Sequence, residues 1–232
     1  MTHRAAVFAA ALGQGRTGST IGDHLSIATP TASARGYGGD PMNRAIERLA
    51  LFGGLLAAFG EIHPFCDHWA QGSTTAKCKR LYGKHLVYLD GVTVGEEETP
   101  RTGEPTMTAS ARARRAVALH VATYTAIQTG AALALTRSFG YRVPASALLA
   151  GAVINASTHA AIDRGAVLLW LARKARKTGY IEHCQAVRLS DKGEVTKELT
   201  GPGSSWMELD GALHRIVGVG AAAVTTWLAT RK

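Results

Sequence analysis

Histidine and aspartate residues recur at a spacing of four in this sequence. His63 precedes Asp67 and Gln71 at intervals of four, and His159 precedes Asp163 by the same interval. Residues four apart lie on one face of an α-helix. Imidazole and carboxylate groups are common ligands of zinc, iron and manganese. The spacing therefore predicts helix faces that contribute ligands to a divalent metal site.

Two further pairs have the same spacing, and together they give seven candidate metal ligands. The candidate ligands are His63, Asp67, His120, His159, Asp163, Asp210 and His214. Gln71, Tyr124 and Asn155 each lie four residues from a candidate ligand. We expect these three side chains to orient the ligands by hydrogen bonding. Arg164 and Arg215 directly follow candidate ligands, and we expect them to bind an anion.

A set of this kind allows three functions. A bound metal would lower the pKa of its coordinated water and so support hydrolysis. The same residues could instead form a hydrogen-bonded network that locks helices together and binds nothing. Ionisable groups at membrane depth also serve as proton or ion relays. The residues themselves leave all three open, and no common nucleotide-binding or hydrolase motif accompanies them.

Four apolar segments must position these residues. They span residues 43–71, with 49–60 as the apolar centre, then 116–136, 144–172 and 213–230. Each approaches the ~20 residues that cross hydrocarbon, and Pro64 should kink the end of the first. The sequence therefore predicts an all-α membrane protein with an antiparallel four-helix transmembrane bundle. A soluble, alanine-rich bundle is the alternative, because the segments are only moderately apolar.

The remaining stretches suggest how the chain is organised. Residues 1–41 are rich in Gly, Ser, Thr and Ala and are predicted to be a flexible leader, whereas 42–232 form the membrane domain. Polar loops are predicted at 73–115 and 173–209. Within them, 84–94 and 182–199 each resemble a strand, a turn and a strand, and the two hairpins could pair into one sheet.

Topology and charge predict where the candidate ligands lie. In an up-down bundle the four pairs fall late, early, late and early along successive helices, so they meet at the end that carries the long loops. Basic residues are concentrated in those loops, which predicts a multi-pass cell-membrane protein with cytoplasmic loops. The predicted partner is the lipid bilayer. The sequence is also compatible with a homo-oligomer and with an unidentified small-molecule substrate. The net charge is +9, but no nucleic-acid-binding motif is present, which argues against nucleic acid.

The order of these motifs resembles a known family. His63-x3-Asp67-x3-Gln71, His120-x3-Tyr124, Asn155-x3-His159-x3-Asp163, and Asp210 with His214 resemble the bacterial DUF3307 membrane proteins, over residues 45–230. The resemblance implies a multi-pass membrane protein and supplies no activity. From the residues alone, the leading hypothesis is a metal-dependent hydrolase of a lipid-linked or small anionic substrate. The alternative is a non-catalytic transport or proton-relay component, or a partner-binding subunit.

Overall fold

The structure is a computed structural model that describes residues 41–190 and 193–231, so the predicted leader lies almost entirely outside it. Its helices are α1 Pro41–Leu56, α2 His63–Phe65, α3 Ser73–Cys78, α4 Ala109–Ser138, α5 Ala145–Asp163, α6 Ala166–Lys174, α7 Thr178–His183 and α8 Ser205–Thr230. Two π-helical segments, π1 Ala57–Glu61 and π2 Cys66–Ala70, flank α2. The strands are β1 Leu86–Tyr88, β2 Thr106–Thr108, β3 Ala186–Leu189 and β4 Val195–Glu198. The predicted mainly helical character is confirmed.

The long helices pack around a small apolar core. α5 packs on α4 and α8, and α1 packs on the same two helices. A short connection joins α4 to α5, as expected for antiparallel neighbours. Leu55, Phe59 and Ala132 are among the buried core residues, together with Leu148 and Ala221. The core lies away from the His and Asp residues, toward the end of the helices that is opposite the long loops.

Three helical stretches are long and apolar enough to cross a membrane. They are Pro41–Ala70, which includes π1, α2 and π2, then Ala145–Asp163 and Ser205–Thr230. Outward-facing apolar side chains such as Leu149, Val153 and Ile216 are exposed, as a lipid-facing surface requires. α4 is not among these stretches, because polar residues such as His120, Tyr124 and Gln128 lower the mean hydropathy of its uncharged part.

Pro64 changes the winding of the first helix without ending it. The chain passes from α1 into π1, turns at Ile62, and continues through α2 and π2. In a π turn the carbonyl of Phe59 would accept from residue 64, which as proline has no N–H. The side chain of Gln128 donates to this carbonyl at 2.7 Å. Asn155 in turn donates to the Gln128 amide oxygen at 3.2 Å, so α4 and α5 are tied to the π segment.

The third apolar segment is two helices, so the predicted continuous helix over 144–172 is wrong. α5 ends at Asp163, and α6 begins at Ala166 after a turn at Gly165. Gly165 has a φ of +78°, in the left-handed region that favours glycine. A Cβ here would lie 3.1 Å from the Trp206 ring, which is a second reason for glycine. After this turn α6 packs on α7 and α8.

Two helices begin earlier than predicted, so the long loops are shorter than 73–115 and 173–209. The hydroxyl of Thr108 accepts from the Ala111 N–H at 3.3 Å and caps α4. The hydroxyl of Ser204 accepts from the Met207 N–H at 3.4 Å and caps α8. Such caps satisfy the free N–H groups of a first turn. The earlier start places Asp210 inside α8.

The two loop hairpins behave differently. β3 pairs with β4 in the antiparallel hairpin predicted for 182–199. β1 pairs instead with β2, and residues 92–94 contribute only an isolated bridge between Val87 and Thr93. Among the described residues these two-stranded sheets are separate, so the predicted joint sheet is wrong. The strand 106–108 was missed because it is only three residues long and directly precedes a long helix.

Close packing of α5 on α8 can be tested at Gly151. In Gly151→Ala the new Cβ would lie 2.1 Å from the Thr225 hydroxyl and 3.2 Å from the Phe59 ring. We expect the free energy of unfolding to fall by about 1–3 kcal/mol, because overpacking displaces the helices. The melting temperature in detergent measures this. Gly130→Ala in α4 is the control, since its Cβ meets nothing within 4 Å. Equal stability of the two variants would contradict the close approach.

Candidate metal centre

His159 on α5 lies at the centre of the seven candidate ligands, which we call the His/Asp cluster. Its side chain is only 1% exposed. Its Nε2 lies 2.8 Å from His120 Nε2, 3.2 Å from Asp163 Oδ2 and 3.7 Å from Asp67 Oδ1. These contacts bring together side chains from α4, α5 and π2.

Asp67 and Asp163 face the two imidazoles from opposite helices. His120 Nε2 lies 3.1 Å from Asp67 Oδ1 and 3.4 Å from Asp163 Oδ2. His63 Nε2 lies 3.4 Å from the other oxygen of Asp67. His63 and Asp67 thus remain in contact, although residues 66–70 are π-helical and not α-helical. Two carboxylates and three imidazoles thus surround one small volume.

His214 on α8 completes the cluster from the remaining helix. Its ring stacks on His63 with centroids 4.5 Å apart, and its centroid lies 4.2 Å from that of His159. Its Nδ1 lies 2.8 Å from the carbonyl oxygen of Asp210, an atom that can only accept. Nδ1 therefore carries the proton, and the neutral ring keeps its lone pair on Nε2, as a metal ligand must.

Several polar atoms of the cluster are buried without a hydrogen-bond partner. They are His63 Nε2, Asp67 Oδ1, His159 Nδ1, Asp163 Oδ2 and His214 Nε2. The two carboxylate oxygens lie near imidazole nitrogens but lack hydrogen-bond geometry. Buried polar atoms nearly always have a partner, so this concentration points to a bound ion or water. All five belong to residues of the His/Asp cluster.

Ligand atoms of the cluster form three groups of metal-binding size. The groups are His63, His159 and His214; Asp67, His120 and His159; and Asp163, Asp210 and His214. Within each group, one ligand atom from each residue lies within 4.8 Å of the others. His159 and His214 are each shared between two groups. The arrangement can hold one ion with spare ligands or two neighbouring ions.

Two cations of the cluster were missed from the sequence. Lys79 Nζ lies 2.9 Å from Asp163 Oδ1, and both side chains are buried. Arg80 lies 3.4 Å from Asp210 Oδ1 and 5.5 Å from the Trp206 ring centroid. Both residues lie in the stretch 73–115, which was predicted to be a polar loop rich in basic residues. Their partners are 84 and 130 residues away, so no local spacing could have indicated them.

Two of the three aspartates of the cluster have a Lys or Arg partner, whereas Asp67 has none within the ranges that the structure describes. Asp163 pairs with Lys79, and Asp210 pairs with Arg80. Among the described residues Asp67 contacts only histidines and has no Lys or Arg partner. Asp67 is therefore the carboxylate whose charge is best placed to attract an added cation.

The side chains expected to orient the ligands occupy different places. The Tyr124 ring is buried, with its centroid 3.9 Å from that of His159. Gln71 has a buried amide nitrogen without a partner, just beyond π2. Asn155 is bonded to Gln128, one helical turn before His159. Tyr124 thus packs directly on a ligand, whereas Asn155 supports the helix that carries it.

The two arginines expected to bind an anion also differ. Arg164 donates to the carbonyl oxygens of Lys79 and Leu81, both at 3.1 Å, and lies over the Tyr82 ring. It therefore fixes the turn that presents Lys79. Arg215 is exposed and lines a cleft of about 650 Å³ between π2 and the first half of α8. His63, Asp67 and Asp210 form part of the same lining, so small molecules can reach the cluster.

Among the described residues, no cysteine belongs to the three ligand groups. Cys78 is fully buried beside the loop, and burial raises the pKa of its thiol. Its Sγ lies against Gly91, where an added Cβ would be 2.7 Å from it. A protonated, packed thiol is a poor metal ligand. The ligand set is therefore one of nitrogen and oxygen atoms.

Comparison of the chain with protein-family models, curated proteins and solved structures gave no match. The resemblance to the DUF3307 family therefore stays a prediction from the motif order. The chemistry of this site is therefore inferred from its own residues.

The Lys79–Asp163 pair generates a stability prediction. Lys79→Met leaves Asp163 buried without a Lys partner, and we expect the free energy of unfolding to fall by about 3–5 kcal/mol. Thermal unfolding in detergent measures the loss. Lys77→Met is the control, because Lys77 is exposed two residues away.

A second substitution separates lost charge pairing from lost packing. Combining Lys79→Met with Asp163→Asn removes the unpaired charge, so part of the stability should return. A Lys79→Met protein as stable as the Lys77→Met control would show that the ion pair does not hold the loop.

Proposed function

We propose that this chain is a multi-pass membrane protein whose His/Asp cluster binds a divalent metal and hydrolyses a lipid-linked or small anionic substrate. The membrane part of the proposal is supported by the three long apolar helical stretches. We assign α4 as the fourth spanning helix of an antiparallel bundle. It packs between α1 and α5, and from Ala116 to Thr136 it contains no Asp, Glu, Lys or Arg.

The metal part is carried by one observation, the five buried and partnerless ligand atoms that meet within the cluster. Zinc, iron and manganese all suit mixed imidazole and carboxylate ligands. Asp67, His120 and His159 form the group best placed to bind the ion, because Asp67 lacks a Lys or Arg partner. His214, which stacks on His63, completes the site.

Each residue has a role that follows from its contacts. A bound divalent ion would supply an activated water at neutral pH. His63 lines the cleft beside Asp67 and can accept a proton from a water there. Lys79 and Arg80 form ion pairs with Asp163 and Asp210, which hold these carboxylates in place.

A proton relay is the second candidate, and one feature favours it. Lys79, Asp163, His159 and His120 form a continuous chain of titratable groups, joined by contacts of 2.9, 3.2 and 2.8 Å. Such a chain could move protons without a metal. Metal content distinguishes the two functions.

Elemental analysis of the detergent-purified protein tests the metal proposal. We expect about one or more divalent ions per chain, and a loss of most of that metal in His159→Ala because His159 joins two ligand groups. His183→Ala is the control, since His183 is exposed in the loop region. A metal-free protein from metal-replete cells would favour the relay or a purely structural network.

Membrane topology gives a separate prediction. The protein should stay in the membrane fraction after carbonate extraction, because the apolar helices span the bilayer. Cys184 is exposed in the second long loop, whereas Cys66 and Cys78 are buried. A membrane-impermeant maleimide should therefore label Cys184 only after cell lysis, if the loops are cytoplasmic. Labelling of intact cells would reverse the orientation, and a Cys184→Ser variant controls for background.

A further inference from the structure

The cleft beside the cluster has two chemically different walls. Its inner wall is polar and includes His63, Asp67 and Asp210. Its outer wall is apolar and includes Ile216 and Val219 on α8. The cleft is therefore shaped for a molecule that has one polar and one apolar end.

The apolar wall extends along the helix away from the loops. Val219 follows Asp210 by nine residues, which is roughly 13 Å along a helix axis. Ile216 is 63% exposed although no charged residue follows it in α8, and both apolar residues lie within the stretch that is apolar enough to span a bilayer. In the proposed membrane orientation, this wall faces hydrocarbon and the cluster lies nearer the headgroups.

Arg215 supplies the charge that selects the polar end. It is exposed in the cleft, one residue after His214, and in the described part of the chain it makes no ion pair or hydrogen bond. A guanidinium binds phosphate through two parallel hydrogen bonds. Glu208 is the other exposed charge in the lining, seven residues earlier and roughly 10 Å along the axis.

We propose that this cleft binds a phosphate-bearing amphiphile, with its phosphate between Arg215 and the His/Asp cluster and its hydrocarbon chain along Ile216 and Val219. The proposal rests on the proposed function, because it gives the substrate class of the same site. It selects the lipid-linked substrate over the small anionic one. A free phosphate would use Arg215 but would leave the apolar wall unused.

Binding of dodecyl phosphate to the purified protein in dodecyl maltoside tests the proposal. We expect dodecyl phosphate to bind at least about tenfold more tightly than inorganic phosphate, because only the amphiphile uses both walls. Arg215→Ala should weaken its binding by about tenfold or more, since a charge-assisted contact is lost. Arg215→Lys should lose less, because the charge remains. Arg137→Ala, at an exposed arginine at the end of α4, should bind as the parent does.

A substitution on the apolar wall distinguishes the two sources of phosphate. Ile216→Asn should weaken dodecyl phosphate binding and leave inorganic phosphate binding unchanged. Equal affinity for the two ligands, or unchanged binding in Arg215→Ala, would overturn the proposal. Metal content of each variant is measured in parallel. A metal-free protein that still binds dodecyl phosphate through Arg215 would refute the metal-dependent function and leave this inference standing.

Discussion

The burial of three aspartates among apolar helices is the constraint on which the rest of the structure depends. A buried carboxylate costs several kcal/mol unless other groups compensate it. Asp163 and Asp210 receive Lys79 and Arg80 from the turn after α3, and Asp67 receives only imidazoles. The first long loop is thus part of the folded core. Arg164 fixes that turn through two backbone carbonyls, so the end of α5 holds both the aspartate and its counter-charge in place.

A second constraint comes from the backbone at Pro64. Because proline cannot donate, the Phe59 carbonyl needs another partner inside the apolar core, and Gln128 provides it. The interaction requires close approach of the neighbouring helices. Gly218 lets α8 approach the Phe59 carbonyl, since a Cβ there would lie 3.3 Å from the same carbonyl oxygen. π-helical turns often occur at functional sites, and here they carry the segment that bears His63 and Asp67.

Sequence patterning predicted the existence of the long helices better than the residues at which they begin and end. Apolar segments and four-residue spacing identified the long helices and the residues that they bring together, because both signals are local. Helix starts at Thr108 and Ser204 were missed because capping residues resemble the polar loops before them. The end of α5 depends on Gly165 and on its contact with Trp206. Trp206 lies 41 residues further along the chain, and a local sequence pattern cannot indicate so distant a contact. Lys79 and Arg80 were missed for the same reason, as their roles exist only after the helices have packed.

The order in which the ligands occur along the chain has a consequence for biosynthesis. His63 and Asp67 are synthesised first, whereas Asp210 and His214 arrive with α8. Until α8 emerges from the ribosome, His63 lacks its stacked neighbour and Arg80 lacks its carboxylate. A nascent chain stalled before α8 therefore exposes ionisable groups within the bilayer, a state that lipid cannot stabilise. A chain that lacks α8 therefore differs chemically from one that contains it, because its cluster is incomplete.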